Sequence, residues 1–176
     1  MIDIHCHLLP GIDDGPADLD AALQLARALA ADGLKRVVCT PHVFPGRYNN
    51  RRSSIVAAFR SFRQQLREAG IELDLSYAGE VRLTPEVLEL LGRDELPYLG
   101  EQSDGFRTLL IEMPDGQIPV GAHRFIEYLL SKRVRPVIVH PERNRAVMDD
   151  PSRMDDFVDL GCALQVTASS VTGHFG

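Results

Sequence analysis

Apolar positions along the 176 residues fall into two alternating rhythms. Short runs of strand character occur at Ile2–His5, Arg36–Thr40, Glu72–Ala78, Thr108–Glu112, Pro136–His140 and Cys162–Val166. Between them lie stretches of helical spacing: Ala17–Ala31, Ser53–Ala69, Pro85–Leu91, Pro119–Lys132 and Pro151–Leu160. In the first helix Leu19, Ala22, Leu25, Ala26 and Leu29 recur on one face, as a helix packed on a sheet requires. Gly33 and Gly70 stand where helices end, and Pro85, Pro119 and Pro151 stand near starts. This regular alternation predicts an α/β fold of parallel strands joined by right-handed crossovers. A doubly wound sheet and a barrel both satisfy it. The barrel is favoured because candidate ligands end nearly every strand, and a ring makes those ends converge. Neither a GxGxxG nor a Walker-type phosphate loop is present. With no linker, repeat or low-complexity segment, residues 1–176 are expected to form one domain. A complete barrel takes ~250 residues. The segment Thr167–Gly176 reads as a Ser/Thr/Gly-rich loop, so the expected fold is a distorted TIM-like barrel lacking its last strand.

Charge narrows the partners. A net charge of −6 argues against general affinity for nucleic acid. Of the 19 basic residues only Lys35 and Lys132 are lysines, a bias that genomic base composition explains as readily as phosphate binding. No stretch resembles an export signal or a membrane span, which predicts a cytoplasmic protein without membrane insertion. Cys6, Cys39 and Cys162 are widely spaced in apolar segments and are expected to be buried and reduced.

Candidate chemistry begins at the first strand. In a strand, His5 and His7 share one face, and Asp13-Asp14-Gly15 follows on the next loop. Two imidazoles beside a carboxylate suit a divalent metal, with one of the Asp pair as a ligand, although Asp-Asp-Gly also makes an ordinary turn. His42 follows Val37–Pro41, Glu80 follows a strand and a glycine, Glu112 follows Leu109–Ile111, and His140 follows Val137–Val139. A glutamate ending a buried strand is costly unless paired or bound to a cation. His123 is expected on a helix surface, and His174 is uninformative. Together these positions predict a metal-dependent hydrolase. Such nitrogen and oxygen donors accommodate manganese, iron or zinc. A thiol mechanism is disfavoured, since no cysteine has an arginine six residues on. Arg47, Arg51 and Arg52, just after His42, either guide an acidic phosphorylated tail or form a solvated patch.

His5-Cys6-His7, Pro41-His42, Gly79-Glu80 and His140-Pro141 resemble the PHP superfamily, named for polymerase and histidinol phosphatase domains. More narrowly, Gly11–Pro16, Thr40–His42, His140–Asn144 and Val166–Gly173 resemble the manganese-dependent protein-tyrosine phosphatases of bacterial capsule and exopolysaccharide operons. The resemblance implies a three-metal manganese centre at the strand ends, with His5, His7 and Glu80 on one ion. Glu80 would bridge to a second ion completed by Glu112 and His140, while Asp14 and His42 would hold the third. Arg143 matches the family's phosphate-gripping arginine, and Arg47 is a weaker substrate contact. Val43 and Asn144 depart from the family's usual residues and are expected to affect the pocket rim. The implied reaction is in-line attack of metal-activated water on a phosphotyrosine. Its implied partner is an autophosphorylating tyrosine kinase that controls polysaccharide export. The family also supplies an Asp-x-His segment from its last strand, and no such segment follows Cys162–Val166 in these residues. The expectation is that this form binds metal weakly and is impaired. A histidinol-phosphate-type phosphatase and an inactive binding module are the competing readings, and self-association is left open.

Overall fold

The structure, a computed structural model, describes residues 1–173, so His174 lies outside the described residues. Backbone packing divides the chain into two units. The first holds residues 1–80 and 84–99; the second holds residues 81–83 and those from Gly100 onward.

The first unit is built on three parallel strands in the order β1 (Ile2–Cys6), β2 (Arg36–Cys39), β4 (Asp74–Tyr77). The intervening crossovers are the helices α1 (Leu19–Ala31) and α2 (Arg52–Glu68). Asp18 caps α1 by accepting from the Ala21 N–H at 2.9 Å. The buried stripe of α1 is narrower than its sequence predicts. Ala22 and Ala26 are fully buried, whereas Leu25 is 37% exposed. The second helix buries Ile55, Phe59, Phe62 and Leu66 at helical spacing, each a burial of about 1.5–3 kcal/mol. Gly33 and Gly70 follow the helix ends with φ of 87° and 67°, the left-handed turn that favours glycine. A short helix, α3 (Val87–Gly92), completes this unit.

The second unit repeats the principle. Strands β7 (Arg107–Glu112), β8 (Val134–Val139) and β9 (Ala163–Gln165) are parallel, and β6 (Gly100–Glu101) lies antiparallel on β7. Leu109, Leu110 and Ile111 are fully buried, as is Ile138. Helix α4 (Ala122–Ser131) buries Ala122, Ile126 and Leu129. Pro136 is tolerated in β8 although it has no N–H, because pairing with β9 begins only at Val137.

Parallel α/β construction therefore stands in both units, and each predicted strand and helix is present with shifted ends. Three differences bear on the site. His42 and Glu80 do not end strands but open short ones, β3 (His42–Val43) and β5 (Glu80–Arg82). After Cys39 the chain turns at Thr40-Pro41 and restarts, and the Glu80 N–H donates to the Pro41 carbonyl at 3.1 Å. The predicted helix Pro151–Leu160 is a 3₁₀ turn, Pro151–Met154, followed by a short α-helix, Asp155–Asp159. Within the stretch read as a loop after Val166 lies another short helix, Ala168–Val171. No helix among the described residues is long and apolar enough to cross a membrane.

Candidate metal centre

In the first unit one carboxylate oxygen gathers three imidazoles. Glu80 Oε2 lies 3.2 Å from His5 Nε2, 3.1 Å from His7 Nε2 and 3.2 Å from His42 Nδ1. The Glu80 side chain is only 1% exposed. Local backbone features aim these groups. Between Asp3 and Cys6 the β1–β2 register slips by a residue, a bulge that falls at the histidines. The His5 N–H freed there donates to Asp3 Oδ1 at 2.9 Å. Beyond the bulge the two-residue spacing still sends His5 and His7 to the same side. Gly79 is required for close approach: a Cβ there would fall 2.3 Å from Pro97 Cγ.

The aspartate pair divides its work. Asp13, with its side chain 1% exposed, accepts from His7 Nδ1 at 2.7 Å, the His42 N–H at 3.0 Å and the Gly15 N–H at 3.0 Å. It therefore fixes the His7 ring with Nε2 toward Glu80, the role of an orienting carboxylate behind a metal-ligating histidine. Asp14 is half exposed and lies 3.4 Å from His7 Nδ1 and 3.5 Å from His42 Nε2. Burial opposes charge on His7, but hydrogen bonds to Asp13 and Glu80 and their negative charges overcome it, pushing His7 up to about 10. Burial likewise opposes charge on Asp13, yet the bonds from His7 and Gly15 hold its carboxyl below the ordinary range.

The donor set fits a divalent cation. His5, His7 and Glu80 offer ligand atoms within 4.8 Å of one another, and so do His7, Asp14 and His42. Imidazole nitrogens and carboxylate oxygens in this ratio suit manganese, iron or zinc.

The second unit places Glu112, His140 and Arg143 around a cavity of about 240 Å³, with Met113, Asp115 and Asn144 completing its lining. His140 is 9% exposed and adopts a left-handed backbone, φ 33° and ψ 54°, uncommon for a residue with a Cβ. Its N–H bonds the Gln165 carbonyl in β9. Arg143 ends the 3₁₀ turn Pro141–Arg143 and is exposed. Arg82, which sequence reasoning did not single out, lies 3.0 Å from Glu112 Oε2 and 3.2 Å from Asp115 Oδ1. Nothing in the local sequence marks it, since an arginine one strand away is set by pairing.

One rim assignment is corrected: Val43 is fully buried in the core, whereas Asn144, though 2% exposed, lines the cavity beside Arg143. Asn144 caps the helix Arg145–Asp149, accepting from the Val147 N–H, while its amide donates to the Pro114 carbonyl. Glu142 accepts from the Thr167 N–H at 2.9 Å and the Ser170 hydroxyl at 2.7 Å, which ties the His140–Asn144 turn to the Val166–Gly173 segment. Those bonds, working against partial burial, hold the Glu142 carboxyl below its usual range. His123 is on the surface of α4 as expected, and Arg47 is exposed with its guanidinium 5.1 Å from the Tyr48 ring centre. Tyr48 in turn stacks on His42, with ring centres 5.4 Å apart and planes within 6°. The thiols are uninvolved. Burial is the main cause that pushes Cys6 and Cys39 up to about 12, and it alone pushes Cys162 to about 11.

A parallel α/β chain with clustered imidazoles and carboxylates at its strand ends has the construction of a metal-dependent hydrolase. Comparison with known proteins narrows this class. All of residues 1–176 match the family described as capsular polysaccharide synthesis, CpsB/CapC, and the chain belongs to that family. It is 35% identical to the tyrosine-protein phosphatase YwqE of Bacillus subtilis over its whole length, spanning 68% of that protein. It is 30% identical to the putative tyrosine-protein phosphatase CapC of Staphylococcus aureus, again over all of this chain and 68% of the relative. Against CpsB of Streptococcus pneumoniae the identity is 28%, over 98% of this chain and 69% of the relative. A solved structure from work on YwqE and CpsB, described there as metal-dependent tyrosine phosphatases, superposes with a TM-score of 0.87 at 34% identity. It covers 98% of this chain and 68% of that one.

Proposed function

We propose that this chain is a metal-dependent phosphatase that removes phosphate from tyrosine, acting on an autophosphorylating tyrosine kinase of bacterial polysaccharide export. The observation that carries the reading is the convergence of three imidazole nitrogens on Glu80 Oε2 at 3.1–3.2 Å, in a chain of the CpsB/CapC family. His5, His7, Asp14, His42 and Glu80 would hold ions in the first unit; Glu112 and His140 would serve as ligands from the second. Manganese is the proposed metal, up to three ions in the complete protein, with iron or zinc as substitutes. When bound, such ions lower the pKa of water to ~7 and polarise phosphoryl oxygens.

The chain's own residues do the rest. Asp13 holds His7 in the tautomer that presents Nε2 to Glu80. Arg143, on the cavity it shares with His140, would grip the phosphoryl oxygens by charge-assisted hydrogen bonds as negative charge builds on them. Arg82 holds the Glu112 carboxylate in place. No cysteine serves as nucleophile, because all three thiols stay protonated at neutral pH. The protein is proposed to work in the cytoplasm, where a kinase tail would present its phosphotyrosines.

Metal content by mass spectrometry after manganese loading and desalting, with turnover on a phosphotyrosyl peptide and on histidinol phosphate, tests this directly. Bound manganese with preference for the peptide supports the assignment. Preference for histidinol phosphate would move the substrate to a small molecule. Retention of no metal together with no turnover would reduce this form to a binding module.

A further inference from the structure

We propose that the arginine flank of α2 is a docking track for an acidic stretch of the substrate polypeptide, leading it to the cluster around Glu80. The inference rests on the phosphotyrosine reading above and adds what the substrate must carry beside its phosphate. Charge is strongly segregated in this chain. Between Arg47 and Glu68 stand six arginines and a single acidic residue, although the whole chain carries −6. At 100° per residue, Arg52, Arg60, Arg63 and Arg67 fall within an arc of roughly 80° on the helix. That arc flanks the buried face of Ile55, Phe59, Phe62 and Leu66, so the arginines lie along one accessible edge.

Three other exposed arginines of the first unit are balanced, Arg36 by Asp74, Arg93 by Glu89 and Arg52 itself by Asp94, while Arg27 carries no ion pair among the described residues. Among the described residues Arg60, Arg63 and Arg67 have no such ion pair. Glu68 accepts from Gln64 and Gln65 instead. Three uncompensated guanidinium groups on one edge repel one another, a cost that an acidic partner would relieve.

Topology directs the track. The chain leaves β2, passes His42 and enters α2, so the helix starts at the strand ends that bear the site and runs away from it. Its beginning is tied to the cluster. Asn50 donates to the His42 and Ile12 carbonyls, at 2.9 and 2.8 Å, two residues before the helix opens. The Phe44–Tyr48 hairpin sets Tyr48 on His42 with Arg47 against its ring. From Arg52 to Arg67 the helix rises ~22 Å, the span of about seven extended residues. The remaining exposed positions of α2, Ser53, Ser54, Ala57, Ser61, Gln64 and Glu68, are small or polar. A helix that inserts into an anionic membrane would carry large apolar groups beside its basic ones, so a peptide is the better match.

The test uses the full chain loaded with manganese and a phosphotyrosyl peptide carrying seven acidic residues on either side. A neutral Gln/Asn version and free phosphotyrosine serve as companions. The variant combines Arg60→Glu, Arg63→Glu and Arg67→Glu. It is expected to raise KM for the acidic peptide by about tenfold or more, with kcat unchanged. Turnover of the neutral peptide and of free phosphotyrosine should not move. Wild-type KM for the acidic peptide should rise with salt as screening sets in. Equal KM for acidic and neutral peptides in the wild type, or equal changes in the variant, would overturn the track. Fluorescence anisotropy of the unphosphorylated acidic peptide supplies a readout free of chemistry. If that binding is lost in the variant while no phosphotyrosine compound is hydrolysed, the track stands and the phosphatase reading falls. If the variant loses sedimentation with phosphatidylserine vesicles but still binds the peptide, the surface belongs to a membrane and the inference fails.

Discussion

The two clusters of candidate chemistry differ in what balances their carboxylates. In the first unit Glu80 faces His5, His7 and His42, and Asp13 faces His7. An imidazole can exchange its proton for a metal ion, so a divalent cation can take over the charge balance. In the second unit Glu112 is held by Arg82, a cation that does not titrate, and Arg143 opens on the same cavity. The first arrangement is suited to holding cations, while the second sets arginines beside its candidate ligands Glu112 and His140 and so also suits an anion such as a phosphoryl group. The same residue classes thus serve opposite ends of one proposed reaction, according to whether the partner charge can leave.

Substitutions in the two units should therefore fail differently. Glu80→Gln removes the oxygen on which three imidazoles converge. It should strip metal from the protein and lower activity well beyond the ~100-fold typical of losing an outer-shell partner. Metal analysis and turnover on the same sample check this, and retention of full metal content would remove Glu80 from the centre. Arg143→Ala should lower kcat by about 10²–10³-fold with metal content intact. A parallel loss of metal would erase the distinction between the clusters.

Asp13→Asn sharpens the comparison within the first unit. It leaves the ligands in place but weakens their orientation, and should reduce metal affinity by about 10–100-fold. A change as small as that of a surface aspartate would mean that His7 needs no support.

The metal-free protein offers a pH test of the same pair. Because His7 is raised from 6.5 to about 10, its contribution to stability is complete below pH 6.5 and disappears as pH rises through about 10. The Asp13 contribution, from a lowered carboxyl, is lost only as pH falls below its ordinary value of 3.8. Urea midpoints in chelator should fall between about pH 6.5 and 10 in the wild type and flatten in Asp13→Asn. A wild-type midpoint that rises over that window would contradict the pairing. The smallest effect is expected at the thiols. With Cys39 held at about 12 and Cys162 at about 11, alkylation at about pH 8 should be slow and leave turnover unchanged. Rapid inactivation would reopen thiol chemistry.

Much of this was legible in the chain itself, for reasons that are local. Strand and helix periods depend on neighbours a few residues apart, and the predicted α/β alternation needed nothing more. The His-x-His spacing places two imidazoles on one face of any strand, and the structure gathers His5, His7, Asp14, His42 and Glu80 into one cluster. The burial of Cys39 and Cys162 followed from their apolar surroundings.

What remained hidden was everything that depends on residues far apart in sequence. Asp13 and Asp14 are indistinguishable as text, yet one is buried behind His7 and the other half exposed, because only folding decides which of them meets the His42 backbone. Arg82 and Glu112 become partners because strand pairing brings positions 30 residues apart into contact. Glu142 meets Thr167 and Ser170 for the same reason, and Val43 and Asn144 turn inward because core packing and a helix cap claim them. The sequence by itself determined the order of elements and the kinds of donor available, since both follow from local spacing and residue chemistry. Tertiary structure alone decided which carboxylate orients, which binds and which is neutralised by arginine, because burial and distance are properties of the folded chain.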